Sequence, residues 1–378
     1  MKQAKVDCGF IRLTDSAVLI AALEMGFASE ERLELVLHRE GNWSSIRDKI
    51  ALGAYPAAHM LSPMAIAMSL GLGPIPTQII APFVLSRNGS SLSATQGFAN
   101  QIRQLGGHPA SARSIGAAIA SLSKQRVLRI GVPFPHSMHL LLSRYFLLSS
   151  SASPANLTFT VAPPAILPDV MAAGEIDLLM VGAPWGSVAV ERGDTEILLP
   201  SAAIWDSAPE KVLGVRKDWA DDEPETLRRL LRALHRAAEW CASPDTRATL
   251  SEILSLPRYL DVPADILERA LRGELILNGA GEILSHPRLI SLGGGDTNFP
   301  WRSAGMWIGD HAAAPWGVAR QKAISAGAEC FRSDLLRQAL GAMGSDLPTS
   351  ITRVEGELGR SGQSGRFFDD AEFTYLDE

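Results

Sequence analysis

At 378 residues the chain exceeds what one hydrophobic core usually organises, which predicts two packed units. With 46% hydrophobic and 20% charged residues it has ample apolar material for cores, which excludes disorder over most of its length. The net charge of −6 argues against a nucleic-acid surface, which needs clustered Lys and Arg to displace phosphate counterions, and no apolar run is long enough to span a bilayer.

The opening MKQAKVDCGFIRL moves from Met1 straight into a strand-like run, with no basic segment, long apolar stretch or small-residue cleavage site, so a cytoplasmic location is expected. VDCGFIRL reads as a strand, and DSAVLIAALEMGF as a helix capped by Asp15 or Thr14 and ending near Gly26. LELVLHRE is a second strand. Asn42 and Ser44 can cap the helix SSIRDKIAL, and YPAAHML is a third strand leading to Ser62 as N-cap and Pro63 at the first position of PMAIAMSLG. TQIIAPFVLS completes a βαβαβ rhythm, which implies a mostly parallel sheet covered on both faces, with a ligand crevice at the carboxyl ends of its strands.

A second α/β unit follows. Helical stretches from Thr95 to Leu105 and from Ala110 to Leu122 lead into the strand RVLRIGV and a helix from near His136 through LLLSRYFLL. NLTFTVA is a strand, PAILPDVMAAGE a helix, and IDLLMVG a strand that delivers Ala183, Pro184 and Trp185 to the crevice side. EKVLGVRKDW looks like a returning strand, followed by a long amphipathic helix from Asp222 to Cys241 and shorter ones through Ile266, Ala319 and Leu336. This order predicts a discontinuous lobe I (1–87 and 205–343), a lobe II (88–204) and a mobile acidic tail (344–378). Phe367, Phe368, Phe373 and Tyr375 are unusual in an idle tail and raise the possibility of a docking peptide.

Cys8, Cys241 and Cys330 lie far apart, with neither metal-ligand spacing nor an even disulfide framework, so buried reduced thiols are expected and no metal site or cofactor is assigned. No hydrolase elbow, P-loop or dinucleotide fingerprint occurs. The triplet Gly293, Gly294 and Gly295 follows no clear strand–helix start and reads as a flexible loop. His108, His235, His286 and His311 have no partner at ligand spacing and are expected to be solvated.

Four segments carry a resemblance: GNWSSIRDKIALG, AAHMLSPM, PFPHSMHLLLSRYFL and APEKVLGVRKDW. Together with GFIRLTDSAVLIAALEMGF, VGAPWGSV and NFPWRSAGMWIGDHAAAPWG, in this order, the chain resembles the nitrate- and bicarbonate-binding receptors of ABC importers, a group related to the sulfonate and taurine receptors. The likeness runs from Cys8 to about Leu340. It implies a two-lobed α/β fold of the periplasmic-binding-protein type II, each lobe a mostly parallel sheet flanked by helices, with ligand in the cleft between lobes. Within that group a member without an export signal is similar to the cytoplasmic nitrate/nitrite sensor of the NasS type. Such sensors hold an RNA-binding antiterminator of the NasT type inactive and release it when the anion binds.

The same resemblance implies the ligand contacts. Trp43, His139 and Lys211 match the family's anion contacts: an indole N–H or flat wall for a planar ligand, a ring N–H at a helix start, and a formal countercharge. His59 is a further candidate that could instead bond backbone beneath the crevice, and His136 could replace His139. Where the nitrate receptors tend to place a Gln after the lobe I strand, this chain reads SRNGSS, so Asn88, Gly89 and Ser90 are expected to supply that donor. Where those receptors carry an acidic residue before the Pro-Trp pair, this chain has Ala183, which makes the pocket less negative and weakens any carry-over of metal-assisted bicarbonate binding.

Three functions compete on this basis. A non-enzymatic cytoplasmic sensor of nitrate or nitrite, controlling nitrate assimilation through its antiterminator partner, is the first. The second is a cytoplasmic enzyme on the same scaffold, of the thiamine-pyrimidine or menaquinone-precursor type; against it stand the missing cysteine-rich run and the lack of an evident carboxylate–histidine pair near the crevice. The third is a receptor of a nitrate or sulfonate ABC importer.

Overall fold

Buried Leu33 and Leu35 flank exposed Glu34, and Val6, Cys8 and Phe10 are buried at every second position, the period expected of half-buried strands; Ala4–Ile11 (β1) and Leu33–Glu40 (β2) accordingly pair in parallel. The computed structural model describes residues 3–109, 111–193, 195–344, 347–357 and 365–374. The remaining strands are β3 (Ala57–Leu61), β4 (Ile79–Asn88), β5 (Ser90–Thr95), β6 (Leu128–Val132), β7 (Leu157–Val161), β8 (Leu178–Gly182), β9 (Thr195–Pro200), β10 (Pro209–Arg216), β11 (Glu274–Ile276), β12 (Ile283–Ser285) and β13 (Ile290–Ser291). Lobe I is built on the sheet β13-β4-β10-β3-β1-β2 and lobe II on β7-β6-β8-β5-β9, with helices around both. The fold is the expected two-lobed α/β type.

Both sheets are mixed rather than mostly parallel. β1 runs parallel to β2 and β3, but β10 lies antiparallel between β3 and β4; in lobe II β6 is parallel to β7 and β8, but β5 is antiparallel between β8 and β9. The physical reason is the double crossing. β4 passes through Gly89 directly into β5 with no helix between them, and β10 returns from lobe II, so each lobe gains a strand entering against the direction of its βαβ units. SSLSAT and TEILLP, the sequences of β5 and β9, carry too few consecutive apolar residues to stand out, yet both are almost wholly buried.

Helix starts follow the polar side chains ahead of them. Asn42 Oδ1 accepts from Ser45 N at 2.9 Å, and the hydroxyls of Thr95, Ser111 and Ser137 accept from Phe98 N, Ser114 N and Leu140 N. Two expected caps differ. Ser62 lies inside the helix Ser62–Ser69 and its hydroxyl donates to Pro209 O at 2.7 Å, while neither Thr14 nor Asp15 caps the helix Ala17–Glu24.

Several other expectations are corrected. The hairpin β11–β12 lies in the 205–343 stretch but docks on lobe II, where Leu275, Leu277 and Leu289 pack with Val190 and Ile197, and Ile197 N donates to Leu277 O at 2.7 Å. Among its described residues the tail is packed in part: Phe367 is 2% exposed and stacks on Trp205 and Trp307, and Phe368 packs on Phe146. Phe373 pairs through its backbone with Glu355; Tyr375 lies outside the described residues. His311 stacks on Trp307 at 4.1 Å instead of facing solvent. Gly293 is a packing residue, because a Cβ there would strike the carbonyl of Ala238 in the helix Pro224–Ala242. All three cysteines are buried and free, and among the described residues no helix is long and apolar enough to cross a membrane.

Candidate functional site

Polar residues from otherwise apolar elements meet at one point between the lobes. Asp15 sits on the short turn Thr14–Ser16 that follows β1, and His59 lies in the middle of β3; His59 Nε2 is 2.8 Å from Asp15 Oδ1. Glu210 and Lys211 are neighbours at the start of β10, where an ordinary pleat would send them to opposite faces. The register of β10 against β4 slips on both sides of Lys211, and this irregularity lets both side chains reach the cluster. Lys211 Nζ lies 2.9 Å from Asp15 Oδ2 and donates to Glu210 Oε1 at 2.9 Å.

Lobe I also supplies Trp43, the first residue of the helix Trp43–Ala51. Its ring stands 5.5 Å from that of His59, and Lys211 Nζ is 5.7 Å from its centroid. From lobe II comes His139, in the first turn of the helix Met138–Ser149, with Nδ1 3.3 Å from Glu210 Oε1. Gly182, at the end of β8, borders the cluster: a Cβ there would stand 3.6 Å from His139 Nε2 and 3.9 Å from Asp15 Oδ2. The lobes are closed on each other here, with Thr14 N donating to Ala183 O at 2.9 Å and Trp185 Nε1 to Arg12 O at 2.9 Å. Outside this seal a crevice of about 470 Å³ opens between the lobes, lined by Arg12, Trp185 and Val262 among others.

Trp43, His59, His139, Asp15, Glu210 and Lys211 are each no more than 1% exposed. Burial at that level penalises every charge, and the direction each group takes shows which charges survive. Burial pushes Asp15 up, but Lys211 and His59 outweigh it and hold the carboxyl down at about 2. Burial likewise works against the Lys211 ammonium, yet Asp15 and Glu210 keep it above its usual value. Glu210 goes the other way: burial prevails over Lys211 and raises it. Burial lowers His59 despite Asp15, and it lowers His139 well below the ordinary histidine value, with Lys211 adding to the effect. The charges favoured here are therefore those of the Lys211–Asp15 ion pair, while burial works against a charge on either imidazole and on Glu210.

Polar atoms are left over. Thr14 Oγ1, Trp43 Nε1, His59 Nδ1, His139 Nε2 and Glu210 Oε2 are buried and have no well-aligned hydrogen-bond partner among the described residues. Native interiors leave very few such atoms, so their concentration at one interface marks a place where something else supplies the partners. The donors in this set, the Trp43 indole N–H and the Thr14 hydroxyl, suit an acceptor-only guest such as a small oxyanion, while each imidazole donates from one ring nitrogen only.

The structure brings Trp43, His59, His139 and Lys211 together, and separates the other candidates. His136 faces Phe134 and Trp316 edge-on and stays outside the cluster. The Asn88 amide is saturated, donating to Asp206 O and Arg288 O and accepting from Ala208 N, and thus fastens the two crossings together. Gly89 exchanges backbone bonds with Leu289 and Ala183. Of the expected SRNGSS donors only Ser90 reaches the site, with its hydroxyl on the Glu210 carboxyl. His59 bonds neither ligand-facing backbone nor the strand beneath, but Asp15.

Two further expectations are overturned. Carboxylate–histidine pairs do lie at the crevice, Asp15–His59 and Glu210–His139. Lys211 is also not a free countercharge, since both of its contacts are acids of this chain. Asp15 and Glu210 were missed because TDS reads as a helix cap and PEK as a strand edge. The available signal was an acid, or adjacent opposite charges, within segments otherwise apolar enough to be core.

Residues 1–255 match the NMT1-like family. The nitrate import ATP-binding protein NrtC of Synechocystis sp. PCC 6803 is 32% identical over 321 residues, covering 84% of this chain; the chain spans only 47% of that relative's length. The nitrate/nitrite binding protein NrtA of Nostoc sp. PCC 7120 is 26% identical over 365 residues, 93% of this chain and 81% of the relative. Among solved structures, the periplasmic nitrate-binding protein NrtA of Synechocystis PCC 6803 superposes with a TM-score of 0.88 at 23% identity, covering 98% of this chain and 95% of that one. The alkanesulfonate-binding protein SsuA of Xanthomonas axonopodis pv. citri gives a TM-score of 0.61 at 13% identity, covering 86% and 98%.

Proposed function

The chain belongs to the NMT1-like family, and from that premise we propose that it is a non-catalytic receptor for nitrate or nitrite whose two lobes close over the anion. The observation that carries this is the set of unpartnered, fully buried polar atoms contributed by both lobes around Trp43, His59 and His139. Nitrate is planar and weakly basic and offers only acceptors, so the unpartnered Trp43 indole N–H and Thr14 hydroxyl, with the Lys211 ammonium beside them, suit it. The names of the relatives, nitrate/nitrite binding and nitrate import, point to the same ligand class. An anion shifts an open–closed equilibrium only through its differential affinity for the two forms, and a shell completed by His139 from lobe II supplies that difference.

The role is that of a cytoplasmic sensor that holds an RNA-binding antiterminator of the NasT type and releases it when the anion binds, as the resemblance to sensors of the NasS type implies. The likeness to a nitrate import protein and to nitrate/nitrite binding proteins favours a second role, the solute receptor of an ABC importer. Titration calorimetry with sodium nitrate and sodium nitrite tests the shared part. Wild type gives saturable heat and Trp43→Phe, which keeps the ring and removes the indole N–H, binds about tenfold more weakly, the value of one hydrogen bond to a charged partner. No heat at millimolar anion refutes the receptor. Capture from cell extract with and without nitrate then separates the roles: an RNA-binding protein retained only without nitrate marks the sensor, whereas retention of membrane permease subunits marks the importer receptor.

A further inference from the structure

The buried cluster holds one ammonium against two carboxyls. Lys211 Nζ touches Asp15 Oδ2 and Glu210 Oε1, both at 2.9 Å, and the imidazoles of His59 and His139 complete the polar wall. With Asp15 and Glu210 both ionised, the cluster is already one charge negative before any anion enters, and closure would seal two like charges beside each other away from water. Among the described residues, the surrounding elements offer no further cation to compensate. On β4, Ser86 faces β10 and the neighbouring Arg87 is engaged by the carbonyls of Thr297, Ser207 and Phe299, beside Asp296, Arg353 and Glu355. On β3 the facing group is His59, on the turn after β1 it is Asp15 with Thr14, on β5 it is Ser90, and on lobe II it is His139.

We propose that anion binding takes up a proton, and that Glu210 is the residue that receives it and sets the selectivity for monoanions at this site. This inference rests on the receptor function proposed above. In an open form Glu210 is solvated and ionised; as the lobes close over an anion, its carboxyl is protonated by solvent. Oε2, which has no well-aligned partner, is the atom left to carry the hydrogen, because Oε1 accepts from Lys211; the Ser90 hydroxyl, which also reaches this carboxyl, favours its ionised form, and the proton competes with that contact. Protonation removes one negative charge and turns an acceptor into an O–H donor toward the anion. Burial biases Glu210 in this direction, opposite to Asp15 next to the same ammonium. An anion that needs two compensating charges, such as sulfate, finds only one ammonium there.

The test uses the full chain and sodium nitrate, titrated at pH 7.5 in phosphate and in Tris, whose ionisation enthalpies differ widely. The expected result is uptake of about one proton per anion and affinity that weakens by about tenfold for each unit of rising pH, the slope of a one-proton linkage. Glu210→Gln, which carries its donor permanently, is expected to show no proton uptake and a flat pH profile. Nitrate that binds wild type with no proton uptake and no pH dependence overturns the proposal while leaving the receptor function standing; no binding at any pH overturns the receptor function itself. Uptake that persists in Glu210→Gln overturns the assignment to Glu210; if that variant does not fold, the two-buffer measurement on wild type decides the uptake, and on Glu210→Asp, whose shorter carboxyl withdraws from Lys211, unchanged uptake and pH slope overturn the assignment.

Discussion

Lys211 is the point at which the stability and the function of this protein meet, and its removal gives the sharpest test. Two acids lie 2.9 Å from its ammonium. At an effective dielectric of about 20, each such contact is worth about 6 kcal/mol of direct attraction, most of which is offset by the desolvation of the three buried groups. Lys211→Met leaves Asp15 and Glu210 buried without a counterion, and the expected loss is about 3–5 kcal/mol, a large share of the roughly 5–15 kcal/mol available to a folded domain. Asp15→Asn alone is also destabilising, since it leaves Lys211 with Glu210 only. The double variant Lys211→Met/Asp15→Asn removes both members of the strongest pair. Its loss is expected to fall short of the sum of the single losses by about 2 kcal/mol, as for contacting residues of one network. Urea unfolding of the four proteins at pH 7.5, followed by tryptophan fluorescence and circular dichroism, measures this cycle. Losses that add to within about 0.5 kcal/mol would show that Lys211 and Asp15 do not interact and would remove the electrostatic basis of the site.

Acid should destabilise the protein in two stages. Burial lowers His59, His136, His139, His235, His286 and His311 below the ordinary value, so the unfolded chain binds more protons than the native one as pH falls through about 6.5, and stability drops there. Glu210, raised in the folded state, opposes this with a single proton, too few to cancel it. The contribution of Asp15 is present above its unfolded value of about 3.9 and is lost as pH falls toward its folded value of about 2. Urea midpoints that stay constant from pH 7.5 to 5 would contradict the burial of neutral imidazoles. Phe367→Ala empties a slot between Trp205, Trp307 and Tyr145, with an expected loss of about 3–5 kcal/mol and protease cleavage near residue 350 that wild type resists; an unchanged melting temperature would show the tail segment to be dispensable. Gly182→Val places atoms against Leu13 and His139, so nitrate affinity should drop by more than about a hundredfold while circular dichroism is unchanged; retained affinity would place the anion elsewhere.

Much of the scaffold could be read from periodicity and capping. LELVLHRE is β2 residue for residue, and the long amphipathic helix was placed within two residues at its start and one at its end. What escaped was the direction of the crossing strands, because the hydrophobic pattern of β10 is the same whether it runs up or down the sheet. The packed tail escaped for a related reason: composition rich in Gly, Ser and acids predicts solvation, and only the partners Trp205, Trp307 and Tyr145, remote in sequence, make Phe367 a core residue.

The site shows the same division between local and non-local information. Trp43, His139 and Lys211 could be named through the resemblance, and they do converge. Their electrostatic meaning could not, since a lysine counted as a free positive charge becomes, once folded, one member of a triad with two acids. The cluster as built cannot be described by the charge of any one residue; it behaves as a unit whose net charge is tuned by whether one carboxyl holds a proton. A receptor constructed in this way would respond to its anion and to pH through the same four or five side chains, so that changes in either would move the lobes along a single coordinate.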